Sequence, residues 1–374
     1  MKTLTLKADR LFDGDTFLDS PCLTLVDGRI LSLGTEDGDE ILHLDGTLAP
    51  GFIDIQVNGG GDRLFNNEPS LATLGAMVQA HGRFGTTAML PTLITDDLDK
   101  MTRAADTVAL ALEDGMPGIL GIHFEGPHLS QPKRGIHQAR HIRPLSDREM
   151  ALYCRQDLGI RLVTLAPEQV PPQQIAALVA AGAIVCLGHS DCSFEQANAA
   201  LEAGATGFTH LFNAMSPFGS REPGMVGAAL AHDGAACGLI LDGHHVHPAA
   251  ARVALKALGE QRLLLVTDAM QAVGSKAREF PYFDEVLHLD GDRLSNQEGR
   301  LAGSALNMAQ AVANARTWLG VGEEGALRMA SRWPARFLGL EGRKGMLRAG
   351  MDADLVLLDR QGRVKGTWLC GRTP

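Results

Sequence analysis

From Met1 to about Leu48, apolar and polar residues alternate in short runs broken by Asp-Gly pairs. In LTLVDGRILSLG the pair Asp27-Gly28 has the chemistry of a tight hairpin turn, so this part predicts a small β unit. After Pro50 the texture changes to apolar runs, each followed by a stretch with helical spacing: GFIDIQVN, TTAMLPTL, GILGIHFEG, RLVTLAPE, IVCLGHS, GFTHLFN, CGLILDGHHV and LLLVTDAM. Intervening segments such as PPQQIAALVAAG and SFEQANAALEAG begin polar and end on glycine, as helices do. Eight strand-then-helix units over roughly 250 residues predict a (β/α)8 TIM barrel. Beyond NMAQAVANARTWLG and GALRMASRWPARFLGL, strands return in GMLRAGMDADLVLLDRQGRVKGTWLCG, which can rejoin the first strands. The expected architecture is α/β: a barrel over residues 50–343, with a small β-sandwich made from residues 1–49 and 344–374.

Composition narrows the function classes. At 374 residues with 45% hydrophobic content, the chain can bury a sizeable core. A formal charge of -10 and a pI near 5.7 argue against a nucleic-acid surface, which needs clustered Lys and Arg. An anionic substrate therefore needs a local basic pocket. The six cysteines are scattered, without a Cys-x-x-Cys pair, and no secretory apolar region follows Met1. Reduced thiols and a cytoplasmic location are expected. No apolar run approaches the roughly 20 residues needed to cross a bilayer, so no membrane role is expected.

In such barrels chemistry occupies the C-terminal ends of the strands. Glu125 in GIHFEGPHL, His189 in VCLGHSD, His210 in GFTHLFNAM and Asp268 in LLLVTDAM all stand just past apolar runs. Singly, each is more often a cap or turn residue, but four strand ends rarely carry such groups together by accident. A carboxylate and two imidazoles suit Zn²⁺ or a similar divalent ion, and three protein ligands leave one position open for water, whose pKa such an ion lowers toward neutrality. Asp268 then has the chemistry of a general base and later a general acid. His123, two residues before Glu125, points into the barrel with it if the strand alternates, as a second ring of support or as a core histidine.

These motifs together resemble the amidohydrolase superfamily, and within it the N-acetylglucosamine-6-phosphate deacetylase family. The resemblance covers nearly the whole chain, through PGFIDIQVNGGG, HFEGPHLSQPKRGIHQ, LGHSD, THLFNAMSPFGSREPGMVGAAL, LDGHHVH, VTDAM, LAGS and GMLRAGMDADLVLLD. The most specific of these are HFEGP, THLFNAM and REPG. Where some members carry His-x-His on the first barrel strand, this chain has Gln56-Val57-Asn58, like members of a single-metal type. Amides are weak ligands beside imidazole, so one divalent ion per subunit is expected on Glu125, His189 and His210. Zn²⁺ leads, with Fe²⁺, Mn²⁺ and Co²⁺ compatible with the same ligands. Lys133 lies in a loop well after Glu125, away from the position of a carbamylated bridging lysine.

The resemblance implies further roles. Asp268 would move the proton from the attacking water to the departing amine, and His137 would help polarise the acetamide carbonyl. Asn213 and Ala214 would bind substrate through side chain and backbone, and Ile136 through its backbone. Arg221 would grip the sugar phosphate, reaching into the neighbouring subunit of a homodimer. His245 would bind the sugar, although His244 stands beside it where the family commonly has an apolar residue. Leu301, Ala302 and Gly303 would line the sugar. The implied reaction is metal-dependent hydrolysis of N-acetyl-D-glucosamine 6-phosphate to D-glucosamine 6-phosphate and acetate, in amino-sugar catabolism and cell-wall recycling. An N-acetylgalactosamine-6-phosphate deacetylase would share every metal and base residue. A dihydroorotase-like ring opener usually has the first-strand histidines that this chain lacks. A non-catalytic scaffold would have lost ligands or the base, and all four are present.

Overall fold

The computed structural model describes residues 2–373. The eight expected barrel strands all form: Phe52–Val57, Thr86–Ile94, Gly121–Glu125, Ile160–Leu165, Ile184–Leu187, Gly207–Phe208, Ala236–Ile240 and Leu263–Val266. They are ordered in sequence around one eight-stranded sheet, each pair parallel. Their residues are almost all buried, because parallel strands in a barrel are covered by helices outside and packed side chains inside. This is why they read as continuous apolar runs.

The helices follow from equally local causes. The helix Phe194–Glu202 begins at a capping box in which Ser193 and Gln196 satisfy each other's backbone N–H groups. The helix Pro172–Ala180 starts on proline, whose missing N–H costs nothing at that position. Each presents small and branched residues, such as Ile175, Leu178, Ala197 and Ala200, to the barrel wall. Fully burying one such leucine or isoleucine contributes about 1.5–3 kcal/mol.

The barrel closes without a regular ladder between its first and last strands. Asp268 N–H donates to the Gln56 carbonyl at 3.0 Å, and the N–H groups of Asn58 and Gly59 both donate to the Ala269 carbonyl at 2.9 Å. Buried Asp54 completes the seam by accepting from the Thr267 hydroxyl at 2.5 Å and from the Gln56 N–H at 3.2 Å. The closing seam thus passes directly through the residues that carry Gln56, Asn58 and Asp268.

The two chain ends meet in a six-stranded sheet, ordered Val364–Trp368, Leu355–Leu358, Glu40–Pro50, Leu4–Leu11, Cys22–Val26 and Arg29–Leu33. Asp27 and Gly28 both have positive φ (47° and 78°), the signature of the type I′ hairpin expected there. The sheet folds over so that its Arg29–Leu33 edge meets the segment leading into Leu355–Leu358, Ile30 N–H donating to the Met351 carbonyl and Ala353 N–H to the Gly28 carbonyl, both at 2.9 Å. Its facing halves enclose a core of Leu6, Leu23, Leu48, Leu355 and Trp368, the arrangement of a small sandwich. A three-stranded sheet, Glu279–Tyr282, Glu285–Asp290 and Arg293–Ser295, is inserted between the last barrel strand and the helix Met308–Asn314, and it was not foreseen. Among the described residues no helix is long and apolar enough to cross a membrane.

Candidate active site

Three of the four polar strand-end residues lie just beyond the ladder, in left-handed backbone: His189 (φ 48°), His210 (φ 33°) and Asp268 (φ 51°). Such conformations cost on the order of 1–3 kcal/mol for a non-glycine residue and persist where the surroundings over-determine them. Here they do. Leu211 N–H donates to the Gly238 carbonyl at 2.8 Å, Ser190 N–H to the Ala214 carbonyl at 3.0 Å, and Ser304 N–H to the Asp268 carbonyl at 2.9 Å. The three sharp turns and Glu125, at the end of its own strand, bring their side chains to one point.

Glu125 Oε1 lies 3.1 Å from His189 Nε2 and 3.0 Å from His210 Nε2, and the two imidazole nitrogens are 2.9 Å apart. All three residues are buried. His189 Nδ1 donates to the Lys133 carbonyl at 2.8 Å, so in the neutral ring Nε2 is a bare lone pair aimed at the same point. Tetrahedral coordination at about 2.0–2.1 Å holds donor atoms about 3.3 Å apart. The observed triangle and its donor chemistry therefore fit a divalent cation. Burial opposes ionisation of Glu125, but hydrogen bonds and charge from His189 and His210, when those rings carry a proton on Nε2, outweigh it and hold the carboxyl well below the ordinary carboxylate range.

Asp268 is pushed the other way, up to about 7, first by burial and then by the charge of Glu125. Gln56 and Asn58 face this pair with their amide nitrogens. Gln56 Nε2 donates to Glu125 Oε1 at 3.1 Å and to Asp268 Oδ1 at 3.2 Å, and Asn58 Nδ2 donates to Asp268 Oδ1 at 2.6 Å. The amides at the usual His-x-His positions thus act as hydrogen-bond donors: Gln56 joins Glu125, a candidate metal ligand, to Asp268, a candidate base, and Asn58 donates to Asp268 alone.

A cavity of about 170 Å³ opens above this group, lined by Asn58, Ile136, His137, Asn213, Ala214, His245, Leu301 and Gly303 as well as Glu125, His189, His210 and Asp268. Ala302 is fully buried behind the wall. Arg221 is exposed on the loop after Met215 and does not line the cavity of its own chain. The two adjacent histidines are now distinguishable: His245 lines the cavity with Nδ1 2.6 Å from Asp242 Oδ2, whereas His244 turns to Asp292 at 2.8 Å. The His137 ring lies 4.4 Å, centroid to centroid, from that of His189 and tilted 57° to it, and is driven down to about 3 by burial and by His189, so it is neutral. His123 lies beneath the site, hydrogen-bonded to Thr92 at 3.1 Å and Thr164 at 2.8 Å, as a core histidine.

Sequence reasoning missed three supporting groups. Asp242 orients His245, and its signal was the short Asp-Gly-His-His run. Thr95 touches His137, and Tyr282 of the inserted sheet donates its hydroxyl to the Ile136 carbonyl at 3.0 Å. Neither stands in a run that suggests a site.

The barrel, the strand-end ligands and the carboxylate opposite them define a class. The chain belongs to the amidohydrolase family, which it matches over residues 47–373. Within that family it is 55% identical over 337 residues to N-acetylgalactosamine-6-phosphate deacetylase of Shewanella sp. (strain ANA-3), covering 90% of this chain and 85% of that protein. It is 37% identical over 348 residues to N-acetylglucosamine-6-phosphate deacetylase of Bacillus subtilis (strain 168), covering 89% and 87%. The crystal structure of N-acetylglucosamine-6-phosphate deacetylase from Pasteurella multocida superposes with a TM-score of 0.94 at 32% identity, covering 100% of this chain and 99% of that one.

Proposed function

We propose that this chain hydrolyses the acetamide of an N-acetylated hexosamine 6-phosphate, releasing acetate and the hexosamine 6-phosphate. The observation that carries the reading is the convergence of Glu125, His189 and His210 beside Asp268, at the floor of a small cavity walled by His137 and His245. Glu125, His189 and His210 would hold one divalent ion, Zn²⁺ first among the candidates, supplying Lewis acidity where negative charge develops.

The chain's own groups account for the rest. Asp268, pinned at Oδ1 by Gln56 and Asn58, takes a proton from the attacking water as its oxygen adds to the acetyl carbonyl carbon. When the C–N bond breaks, the same carboxyl returns that proton to the amine nitrogen. His137 donates to the carbonyl oxygen as it gains charge. His245, oriented by Asp242, and the edge formed by Asn213, Ala214, Ile136, Leu301 and Gly303 position the sugar, with Ala302 packed behind that edge. Arg221, outside its own cavity, would bind the sugar phosphate of a neighbouring subunit in a homodimer. The enzyme would act in the cytoplasm on amino sugars released by catabolism and cell-wall recycling.

N-acetyl-D-glucosamine 6-phosphate is the expected substrate from the motifs. A second reading is favoured by identity: the relative at 55% is named for the galacto epimer, whereas the Bacillus subtilis relative named for the gluco epimer stands at 37%. Acetate release from both sugar phosphates and from unphosphorylated N-acetylglucosamine, by zinc-loaded protein, tests the proposal. Turnover of either phosphate, with little on the free sugar, supports it, and the ratio of kcat/KM values between epimers selects the sugar. No release from any of the three, with metal bound, overturns it.

A further inference from the structure

Two donors of one residue converge on one nitrogen of His137. Thr95, just past the second barrel strand, places its backbone N–H 3.4 Å from His137 Nδ1, and its hydroxyl oxygen lies 2.8 Å from the same atom. A backbone N–H cannot turn its hydrogen away, so an N–H on Nδ1 would face another N–H across this contact. Nδ1 must therefore be an acceptor. The hydroxyl proton then goes to Nδ1 as well, over its longer contact of 3.3 Å with the Glu125 carbonyl.

A neutral imidazole with Nδ1 as acceptor carries its proton on Nε2. His137 lines the cavity above Glu125, and among the described residues its ring hydrogen bonds are both at Nδ1, leaving Nε2 without a partner in the protein. The Thr95 side chain is buried. It approaches so closely that a Cβ on Gly126 would fall within 2.3 Å of its oxygen, and Gly126 has φ +83°. The backbone after Glu125 is thus shaped around this hydroxyl.

We infer that Thr95 is a positioning residue that locks His137 in the Nε2–H tautomer, so that a neutral ring presents a hydrogen-bond donor to the substrate carbonyl. In the opposite tautomer the same ring would turn a lone pair toward that oxygen. The role of the donor rests on the deacetylase reading; the tautomer does not.

The test uses zinc-loaded protein with ¹⁵N-labelled histidine, His137 being assigned by its absence from the spectrum of H137N. Wild-type His137 should show a protonated Nε2 and a hydrogen-bonded, unprotonated Nδ1 at neutral pH. T95V keeps the shape and the backbone donor but lacks the hydroxyl. Its Nδ1 signal should move downfield and kcat/KM should fall about 10- to 100-fold at unchanged zinc content, the usual size for loss of an outer partner of a reacting group. T95S should restore both. A proton on Nδ1 in the wild type overturns the inference, as does T95V with the wild-type Nδ1 signal and full kcat/KM. If no sugar is deacetylated, the Proposed function fails and the spectra still decide the tautomer.

Discussion

At the scale of single residues, the site is defined by which atom of each side chain faces the cavity. Asp268 shows this most clearly. Both amide donors reach the same oxygen, Oδ1, from Gln56 at 3.2 Å and Asn58 at 2.6 Å, which leaves Oδ2 as the oxygen free for proton transfer. Replacing Asp268 by Asn keeps the volume but removes the proposed proton carrier. In the D268N variant kcat should fall about 10²–10⁴-fold, the usual worth of a positioned acid–base group, while zinc content and substrate affinity stay close to the wild type. Steady-state kinetics with metal analysis measure this, and near-normal turnover would remove Asp268 from the reaction. The same principle explains what was hard to read in the sequence. Glu125, His189, His210 and Asp268 could be found because each is a polar residue ending an apolar run. Gln56 and Asn58 could be located but not oriented, since an amide in a string of letters is donor and acceptor alike. Thr95 was invisible, because threonine after a strand is what β-propensity alone would place there.

At the scale of elements, the chemistry depends on turns leaving the strands and on one loop leaving the cavity. The strands themselves were legible because an apolar run bounded by glycine or proline has few other uses. The inserted sheet was not, because EFPYFDEVLHLDGDRLS is short and acidic, with no sustained alternation, and is held largely through packing of Phe280, Tyr282, Leu287 and Leu294 against Met270 and Ala302. The loop carrying Arg221 makes a different demand. Exposed Arg221 and Phe218, the latter at 66%, project from one loop, and neither lines the cavity of the same chain. If this guanidinium serves the neighbouring subunit, R221A should raise KM for the phosphorylated sugar about 10- to 100-fold, the loss of roughly 1.5–3 kcal/mol for a charged hydrogen bond, and leave unphosphorylated N-acetylglucosamine unaffected. Mixed R221A and D268N subunits should regain activity at low substrate, because one site of each hybrid dimer then has both residues intact. No recovery after proven exchange would place the phosphate contact within one chain.

At the scale of the whole molecule, folding has trapped histidines that the site does not use, and their burial couples stability to pH. His81 is fully buried, its Nε2–H donating to the Gly59 carbonyl at 2.8 Å, and burial lowers its pKa to about 4. His128, which donates from Nδ1 to the Arg143 carbonyl at 2.9 Å and lies 3.0 Å from the Tyr153 hydroxyl, is likewise lowered to about 4 by burial. In the unfolded chain both return to about 6.5. Between those values the unfolded chain binds protons that the native chain refuses, so stability falls as pH is lowered from about 6.5 to 4 and is level above that window. Asp54 works in the opposite sense: burial raises it to about 7, so across about pH 4 to 7 the native chain holds a proton that the unfolded one releases, and acid favours the fold there. His123 and His137, lowered to about 4 and about 3 by burial, act with His81 and His128, and Asp268, raised to about 7, acts with Asp54; four histidines against two carboxyls leave a net loss on acidification, up to about 1.4 kcal/mol per pH unit for each unbalanced group. H128Q retains a polar side chain at that position but cannot take up the proton. Urea unfolding of both proteins at pH 7.5, 6 and 5, under identical metal conditions, should therefore show the variant losing less stability than the wild type on acidification, whatever its offset at pH 7.5. Parallel pH curves would mean that His128 titrates alike in the folded and unfolded chains, and that its burial is not felt as a charge penalty.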